Sequence, residues 1–185
     1  MSEATSIMVD IETLGTTPGD VIVSIGATKF FVDKDGGHVT DKFSVNIDPV
    51  DSKAYGMTID KATVEWWSTQ PKAARDAWRS DPQPLRTALI DFKKFWGPEK
   101  IDAWCNGLNF DYPFLKCAFN KVGIGEPWSY WLLNDMRSIV NFFNMRDHYR
   151  NSQKKDNEKL HSAIDDCVFQ VGYLGDILKE VQFPS

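Results

Sequence analysis

The sequence has 185 residues, of which 42% are apolar and 25% charged, proportions typical of one globular domain. Its formal net charge of −5 argues against a broad nonspecific grip on duplex DNA, because that mode needs many Lys and Arg contacts to phosphate. No apolar stretch approaches the ~20 residues that span a bilayer, and the N-terminus lacks the regions of a signal peptide. Cys105, Cys117 and Cys167 are widely spaced and odd in number, as expected of reduced thiols in a cytoplasmic protein. We therefore expect one domain over 1–185, with its core at about 7–180.

Three strands joined by short turns are predicted first, over 7–12, 21–32 and 38–48. Alternate side chains of a strand point to the same face, so Asp10 and Glu12 project together. Two carboxylates on one rigid face suit Mg²⁺ or Mn²⁺, which prefer oxygen ligands. An ordinary edge strand with a solvated acidic face explains the same pattern, and this alternative stays open here.

Helices and short strands alternate through the rest of the chain. Thr58 or Asp60 is a candidate cap for a short helix, and Pro71 a candidate start for a second. Apolar residues at helical spacing predict an amphipathic helix over 85–96 that ends at Gly97. We further expect a strand at 101–105, a helix at about 111–122, a short strand at 128–133, a helix capped by Asn134 or Asp135, and a last helix from Ser162. This order predicts an α/β fold in which helices pack on a mixed sheet.

The stretch 146–160 is strongly polar, and we interpret it as a partly mobile loop. Its basic residues directly precede His161, so the loop is a candidate lid over a bound substrate. A solvated loop without a role is the alternative. The basic residues are Arg146, Arg150, Lys154, Lys155 and Lys159.

Further polar residues could join the carboxylates of the first strand. Asp111 lies at a helix start, where it is either a helix cap or a third carboxylate at the active end of the sheet. His161 and Asp166 have a spacing that would point them about 140° apart on one helix. The spacing therefore favours His161 on the preceding loop and Asp166 on the helix, with a surface or capping histidine as the alternative. Asp165 and Asp166 lie about equally far from the centre of the apolar stripe, so the pattern does not choose between them.

In order and spacing, these acids and the histidine resemble the three motifs of the DEDDh, or DnaQ-like, 3′–5′ exonucleases. The stretches 10–15, 23–27 and 66–70 are similar to the small stand-alone branch, which includes compact exoribonucleases and phage-encoded exonuclease A-like enzymes. The resemblance covers nearly the whole chain. It implies a ribonuclease H-like (RNase H-like) fold, a mixed five-stranded sheet flanked by helices.

The resemblance further implies the parts of the active site. Two Mg²⁺ or Mn²⁺ ions would be held by Asp10, Glu12, Asp111 and Asp166, since the family spacing selects Asp166 over its neighbour. His161 would be the general base for water, because an imidazole titrates near neutral pH. The expected activity is stepwise hydrolysis of single-stranded DNA or RNA from the 3′ end to nucleoside 5′-monophosphates. A catalytically inactive nucleic-acid-binding module on the same fold is the alternative, and a homodimer is left open.

Residues near the first carboxylates and the tryptophan pair are expected to contact the substrate. Leu14 follows the metal-binding strand directly, where the resemblance suggests a wedge against the terminal base. Aromatic rings could stack on a base, worth about 1–3 kcal/mol per base, or belong to the core. The full predicted set is Thr13, Leu14, Trp66, Trp67, Gln70 and Phe110.

Overall fold

The computed structural model describes residues 4–98, 100–155 and 161–182. Its strands are β1 Ser6–Thr13, β2 Ile22–Asp33, β3 Gly36–Asn46, β4 Asp102–Cys105 and β5 Leu133–Asp135. They form a mixed sheet in the order β3-β2-β1-β4-β5. β1 to β3 make an antiparallel meander, and β4 and β5 continue the sheet parallel to β1. The predicted mixed five-stranded sheet is therefore confirmed.

Helices flank this sheet on both faces. They are α1 Pro49–Ala54, α2 Lys61–Thr69, α3 Lys72–Ala77, α4 Leu85–Trp96, α5 Asp111–Lys121, α6 Met136–Phe142, α7 Arg146–Lys155 and α8 Ala163–Gln182. Among the described residues, none of these helices combines the length and the apolar character that crossing a membrane requires.

The side chains of β1 alternate between two cores. The odd-numbered apolar residues of 7–11 point to the face that α4 and α5 cover. Met8 points to the opposite face, where it packs with residues of α6, α7 and α8. The predicted alternation of this strand is confirmed, and by the same period Asp10 and Glu12 lie on the α8 side of the sheet.

Helix α8 crosses β2 at a point where only glycine fits. Gly26 lies opposite Asp10 in the antiparallel pairing of β1 with β2. A Cβ built on Gly26 would lie 2.3 Å from the carbonyl carbon of Ala163, far inside van der Waals contact. The start of α8 is therefore held directly over the strand pair that carries Asp10.

Most predicted elements are present, including the hairpin, the amphipathic helix α4 and the last helix. The short helix α2 is capped by Asp60, and α6 is capped by Asp135 rather than Asn134. The strand predicted over 128–133 is wrong for most of its length, because a 3₁₀ turn, Tyr130–Leu132, precedes the short β5. Exposed aromatic rings in this turn explain the error, since their apolar character imitates a buried strand.

Helix α1 was not expected from the sequence. Asp48 caps it by accepting a hydrogen bond from the backbone N–H of Val50. Pro49 occupies its first turn, where the missing N–H of proline costs nothing. The helix buries only Ser52 and is too short to produce a recognisable period.

The prediction of a loop over 146–160 is wrong for the part described, because Arg146–Lys155 forms helix α7. Tyr149 is buried against two aromatic rings of α8. His148 packs on one of these rings as well, and its Nδ1 lies 2.8 Å from the Tyr173 hydroxyl. Two adjacent residues thus anchor a largely polar helix, and they give no periodic signal in the sequence. The remainder, 156–160 with Lys159, lies outside the described residues, so the lid stays a prediction.

Candidate active site

Carboxylates from the first strand and the last helix meet near the end of β1. Asp10 and Glu12 lie on β1, and Asp166 lies in the first turn of α8. One oxygen from each residue can be chosen so that all three oxygens lie within 4.8 Å of one another. We call this group, together with Asp111, the acidic cluster. The close approach of α8 to Gly26 is what brings the distant Asp166 to this strand.

Asp111 reaches the same strand from the start of α5. Phe110 holds the N-cap position of α5 and Asp111 is the first residue of the helix, so Asp111 is not the cap residue. Instead, its Oδ1 accepts a hydrogen bond from the backbone N–H of Ile11 at 3.2 Å. The carboxyl group is buried. It therefore lies against the backbone between the two carboxylates of β1.

Burial raises the pKa values of all four acids. It raises the pKa of Glu12 to about 8, of Asp111 to about 7 and of Asp166 to about 6. Burial and then repulsion from the other acids raise the pKa of Asp10 well above its usual range. A divalent cation would stabilise the ionised forms, so the donor set fits Mg²⁺ or Mn²⁺.

Gln170 is a site residue that the sequence analysis missed. Its Nε2 donates a hydrogen bond to Oδ1 of Asp10 at 2.9 Å, and its side chain is 2% exposed. It lies one helical turn beyond Asp166, so both side chains leave the same face of α8. That spacing, with a polar residue inside the apolar stripe of the helix, is the signal that could have identified it.

The two neighbouring acids of α8 have different surroundings. Asp165 is exposed, whereas Asp166 belongs to the acidic cluster. Periodicity left this choice open, and the spacing of the exonuclease family pointed to the residue that the structure brings to the site. The catalytic role of Asp166 remains a prediction.

His161 lies on the loop before α8, as the spacing to Asp166 favoured. Its backbone has a φ of 68°, and its N–H lies against the Asp166 carboxylate as a hydrogen-bond donor. Its ring meets those of Trp66 and Trp67 edge-on, with centroids 5.0 and 6.0 Å away. Burial lowers the pKa of His161, which keeps the imidazole neutral and able to accept a proton at neutral pH.

A cavity of about 560 Å³ opens beside the acidic cluster, between the end of β1 and helix α2. Glu12 belongs to both the cavity wall and the cluster. We call it the aromatic cavity, because Trp66, which is 43% exposed, Trp67 and Phe110 are among its lining residues. Of the predicted substrate residues, those that line it are Thr13, Trp66, Trp67 and Phe110.

Two predicted substrate residues do not line the cavity. Leu14 is buried in the core, and its role as a wedge against the terminal base stays a prediction. Gln70 is half-buried at the C-cap of α2, and its amide donates to the Trp66 carbonyl oxygen and the Thr69 hydroxyl. Trp67 lines the cavity only at its edge, since it is almost fully buried and its Nε1 donates to the carbonyl oxygen of Thr13 at 2.9 Å. Trp66 and Phe110 remain the rings able to stack on a base.

Comparisons with known proteins address the same fold and chemistry. The family of the 3′-5′ exoribonuclease Rv2179c-like domain matches residues 5–178. An exodeoxyribonuclease of Enterobacteria phage T4 is 22% identical over 190 residues, which cover 87% of this chain and 83% of the phage protein.

Solved structures of E. coli exonuclease I share the fold. The complex with a 5cy-dA13 oligonucleotide has a TM-score of 0.68 and 14% identity, over 98% of this chain and 41% of that one. A product-bound exonuclease I has a TM-score of 0.63 and 15% identity, over 96% of this chain and 44% of that one. This chain thus spans well under half the length of the exonuclease I chains, and the likeness confirms the predicted ribonuclease H-like fold. Because the family match extends over nearly the whole sequence, the chain belongs to the 3′-5′ exoribonuclease Rv2179c-like family of DnaQ-like 3′–5′ exonucleases.

Proposed function

We propose that the protein is a metal-dependent exonuclease that removes nucleoside 5′-monophosphates stepwise from the 3′ end of single-stranded nucleic acid. The observation that carries this proposal is the acidic cluster, in which oxygens of three carboxylates lie within 4.8 Å of one another and one of the three, Glu12, also lines the aromatic cavity. A terminal nucleotide stacked in that cavity on Trp66 or Phe110 would bring its phosphodiester to the carboxylates.

Asp10, Glu12, Asp111 and Asp166 would hold two divalent cations, Mg²⁺ or Mn²⁺. When bound, such a pair stabilises charge on the attacking and leaving oxygens of an in-line displacement. The all-oxygen donor set supports these hard cations over softer metals. The raised pKa values of the four acids support the same assignment, because burial disfavours the ionised carboxylates and a bound cation would stabilise them.

His161 would take the proton from the attacking water. Its lowered pKa favours the neutral imidazole, and the hydrogen bond from its backbone N–H to the Asp166 carboxylate keeps it beside the cluster. The edge-on contact with Trp66 limits the orientations of the ring. Trp66 would therefore support the imidazole of His161 and also face the terminal nucleotide. Substrate binding and proton transfer would then share one wall of the site.

Single-stranded ends are the proposed substrate, and both DNA and RNA are included. The net charge of −5 disfavours duplex binding, and the exonuclease I structures carry dA13 and dT13 oligonucleotides. The family description names an exoribonuclease, whereas the phage relative is an exodeoxyribonuclease. The unpaired Cys105, Cys117 and Cys167, together with the phage relative, support a cytoplasmic setting.

The test compares a linear single strand, a closed circular single strand and a blunt duplex, each as DNA and as RNA. Reactions contain Mg²⁺, Mn²⁺ or EDTA, with Asp10→Ala as the matched inactive protein. We expect 5′-monophosphates from the linear strand with either metal, slow attack on the duplex and none on the circle. Cleavage of the circle at a comparable rate would mean an endonuclease. Binding without hydrolysis in every reaction would favour the inactive binding module.

A further inference from the structure

A second cavity, of about 320 Å³, concentrates positive charge in a chain whose net charge is −5. It lies between the end of β4 and helices α6 and α7. Three exposed arginines line it together with Asn106 and Tyr149, and among the described residues no carboxylate does. We call it the arginine cavity. Its arginines are Arg137 on α6 and Arg146 and Arg150 on α7.

One of the three arginines acts on the acidic cluster, because the charge of Arg137 opposes the rise in the pKa of the Asp111 carboxyl. Within the described part of the chain, none of the three arginines forms an ion pair. Arg137 donates to the carbonyl oxygen of Asn106 at 2.6 Å, and Arg146 donates from Nε to the side-chain oxygen of Asn141 at 3.1 Å. A guanidinium has five N–H donors, so most of them stay available for a ligand.

The floor of the arginine cavity is built from several elements. Gly107, with a φ of 130°, leaves room for the Arg137 guanidinium, because a Cβ there would lie 2.7 Å from its Nη2. The buried Tyr149 accepts a hydrogen bond from Asn106 Nδ2 at 2.9 Å and packs its ring on α8. The cavity is thus fixed both to the sheet and to the helix that carries Asp166.

The arginine cavity lies beside the acidic cluster. β1, β4 and β5 run parallel, so Arg137 follows β5 at the same edge of the sheet at which Asp111 follows β4. Electrostatics agree with this placement. Burial is the main cause that raises the pKa of Tyr149, and repulsion from the carboxylates of Asp10 and Asp166 raises it further. The arginine cavity and the aromatic cavity share no lining residue. The cluster therefore has two separate cavities at its borders, one aromatic and one cationic.

We propose that the arginine cavity binds a backbone phosphate of the substrate strand on the 5′ side of the scissile bond, an inference that rests on the proposed function. Arginine suits phosphate because its planar fork donates two parallel hydrogen bonds. With the terminal nucleotide in the aromatic cavity, the strand must leave past the cluster, and the arginine cavity is a cationic surface at that border.

The test uses the full chain carrying Arg146→Ala with Arg150→Ala, which leaves the structural contact of Arg137 intact. The matched control is Arg86→Ala with Lys42→Ala, which removes the same charge from exposed positions on α4 and the edge strand β3. A third protein, with both arginines replaced by lysine, keeps the charge. Binding to a long strand with a non-hydrolysable 3′ linkage is measured across a salt series, and kcat and KM are measured on a long strand and a dinucleotide.

We expect the double alanine variant to bind the long strand at least about tenfold more weakly. The slope of the logarithm of the binding constant against the logarithm of the salt concentration should become shallower by about 0.7 per phosphate contact removed. The dinucleotide should be hydrolysed as by the unsubstituted protein, and the lysine variant should keep most of the slope. Equal losses on long and short substrates, or equal losses in the control variant, would overturn the proposal.

Free inorganic phosphate is the alternative ligand for the arginine cavity. If the variant loses inhibition by inorganic phosphate but binds the long strand normally, the cavity serves free phosphate and the proposal is wrong. Failure of the proposed exonuclease function can be told apart from failure of the phosphate site. In the first case the unsubstituted protein would hydrolyse no strand, while the binding measurements would still show whether the arginine cavity binds the strand.

Discussion

At the scale of single residues, the Asp10 carboxylate connects more of the site than any other side chain described above. It accepts a hydrogen bond from Gln170, lies with Glu12 and Asp166 in the acidic cluster, and is repelled by Asp111 as well. Without a cation, this concentration of buried acids opposes folding rather than favouring it. Function and stability therefore make opposite demands on the same side chain.

Asp10→Ala should abolish nearly all turnover in Mg²⁺ or Mn²⁺ while the protein stays folded. Removing one of several mutually repelling carboxylates should raise the Tm of the metal-free protein. Calorimetry in EDTA and an exonuclease assay check the two effects. Asp102→Ala, at an exposed position of β4, is the control and should change neither. Full activity of Asp10→Ala would refute the metal assignment.

His161→Ala should lose about 10²–10⁴-fold in turnover, the usual contribution of a general base, and should keep its affinity for Mn²⁺. The neighbouring acids of α8 offer a second comparison, in which Asp166→Asn is severe and Asp165→Asn mild. Single-turnover rates and calorimetric metal titration separate the two effects. Loss of metal binding in His161→Ala, or a reversed order of the acids, would contradict these assignments.

At the scale of elements, the contact of α8 with β2 decides whether the acidic cluster forms. Gly26→Ala should destabilise the protein by about 1–3 kcal/mol, the usual effect of overpacking, because the new Cβ meets the backbone of Ala163. It should also weaken metal binding, since α8 must move away from Asp10. Denaturant unfolding and metal titration check both. The control is Gly125→Ala, where a Cβ meets nothing within 4 Å, and equal effects at both positions would show that the contact is unimportant.

Patterns in the sequence were sufficient to predict an element where its apolar residues follow one regular spacing. The alternation in β1 and the apolar stripe of α4 identified both elements, and the family spacing identified Asp166. Sequence patterns were insufficient where tertiary contacts decide whether an element forms or where a side chain lies. α7 depends on contacts that Tyr149 and His148 make with rings of α8, and these contacts leave no period in the sequence. Gln170 was missed because nothing local ties it to a residue on the first strand.

At the scale of the whole molecule, the buried acids predict how stability changes with pH. Their folded-state pKa values exceed the unfolded ones, so the stability they contribute is fully present below about pH 4. It is lost as the pH rises through about 6 for Asp166, 7 for Asp111 and 8 for Glu12. The Tm of the metal-free protein should therefore fall between about pH 4 and pH 8.

Saturating Mn²⁺ should remove most of this fall, because the cation stabilises the ionised carboxylates that the fold alone disfavours. Thermal unfolding measured at each pH in EDTA and in Mn²⁺ gives the comparison. Asp10→Asn should show a shallower decline than the unsubstituted protein in EDTA. A metal-free Tm that rises from pH 5 to pH 8 would contradict the arrangement of the acids.

The bond between Gln170 and Asp10 joins positions 160 residues apart, and this has a consequence for protein synthesis. Chains leave the ribosome from the N-terminus, so β1 and the aromatic wall of α2 emerge long before α8. A nascent chain that ends before α8 therefore carries Asp10 and Glu12 but lacks Asp166 and the helix that holds Asp10 in place. The acidic cluster is complete only after α8 has been made and has docked.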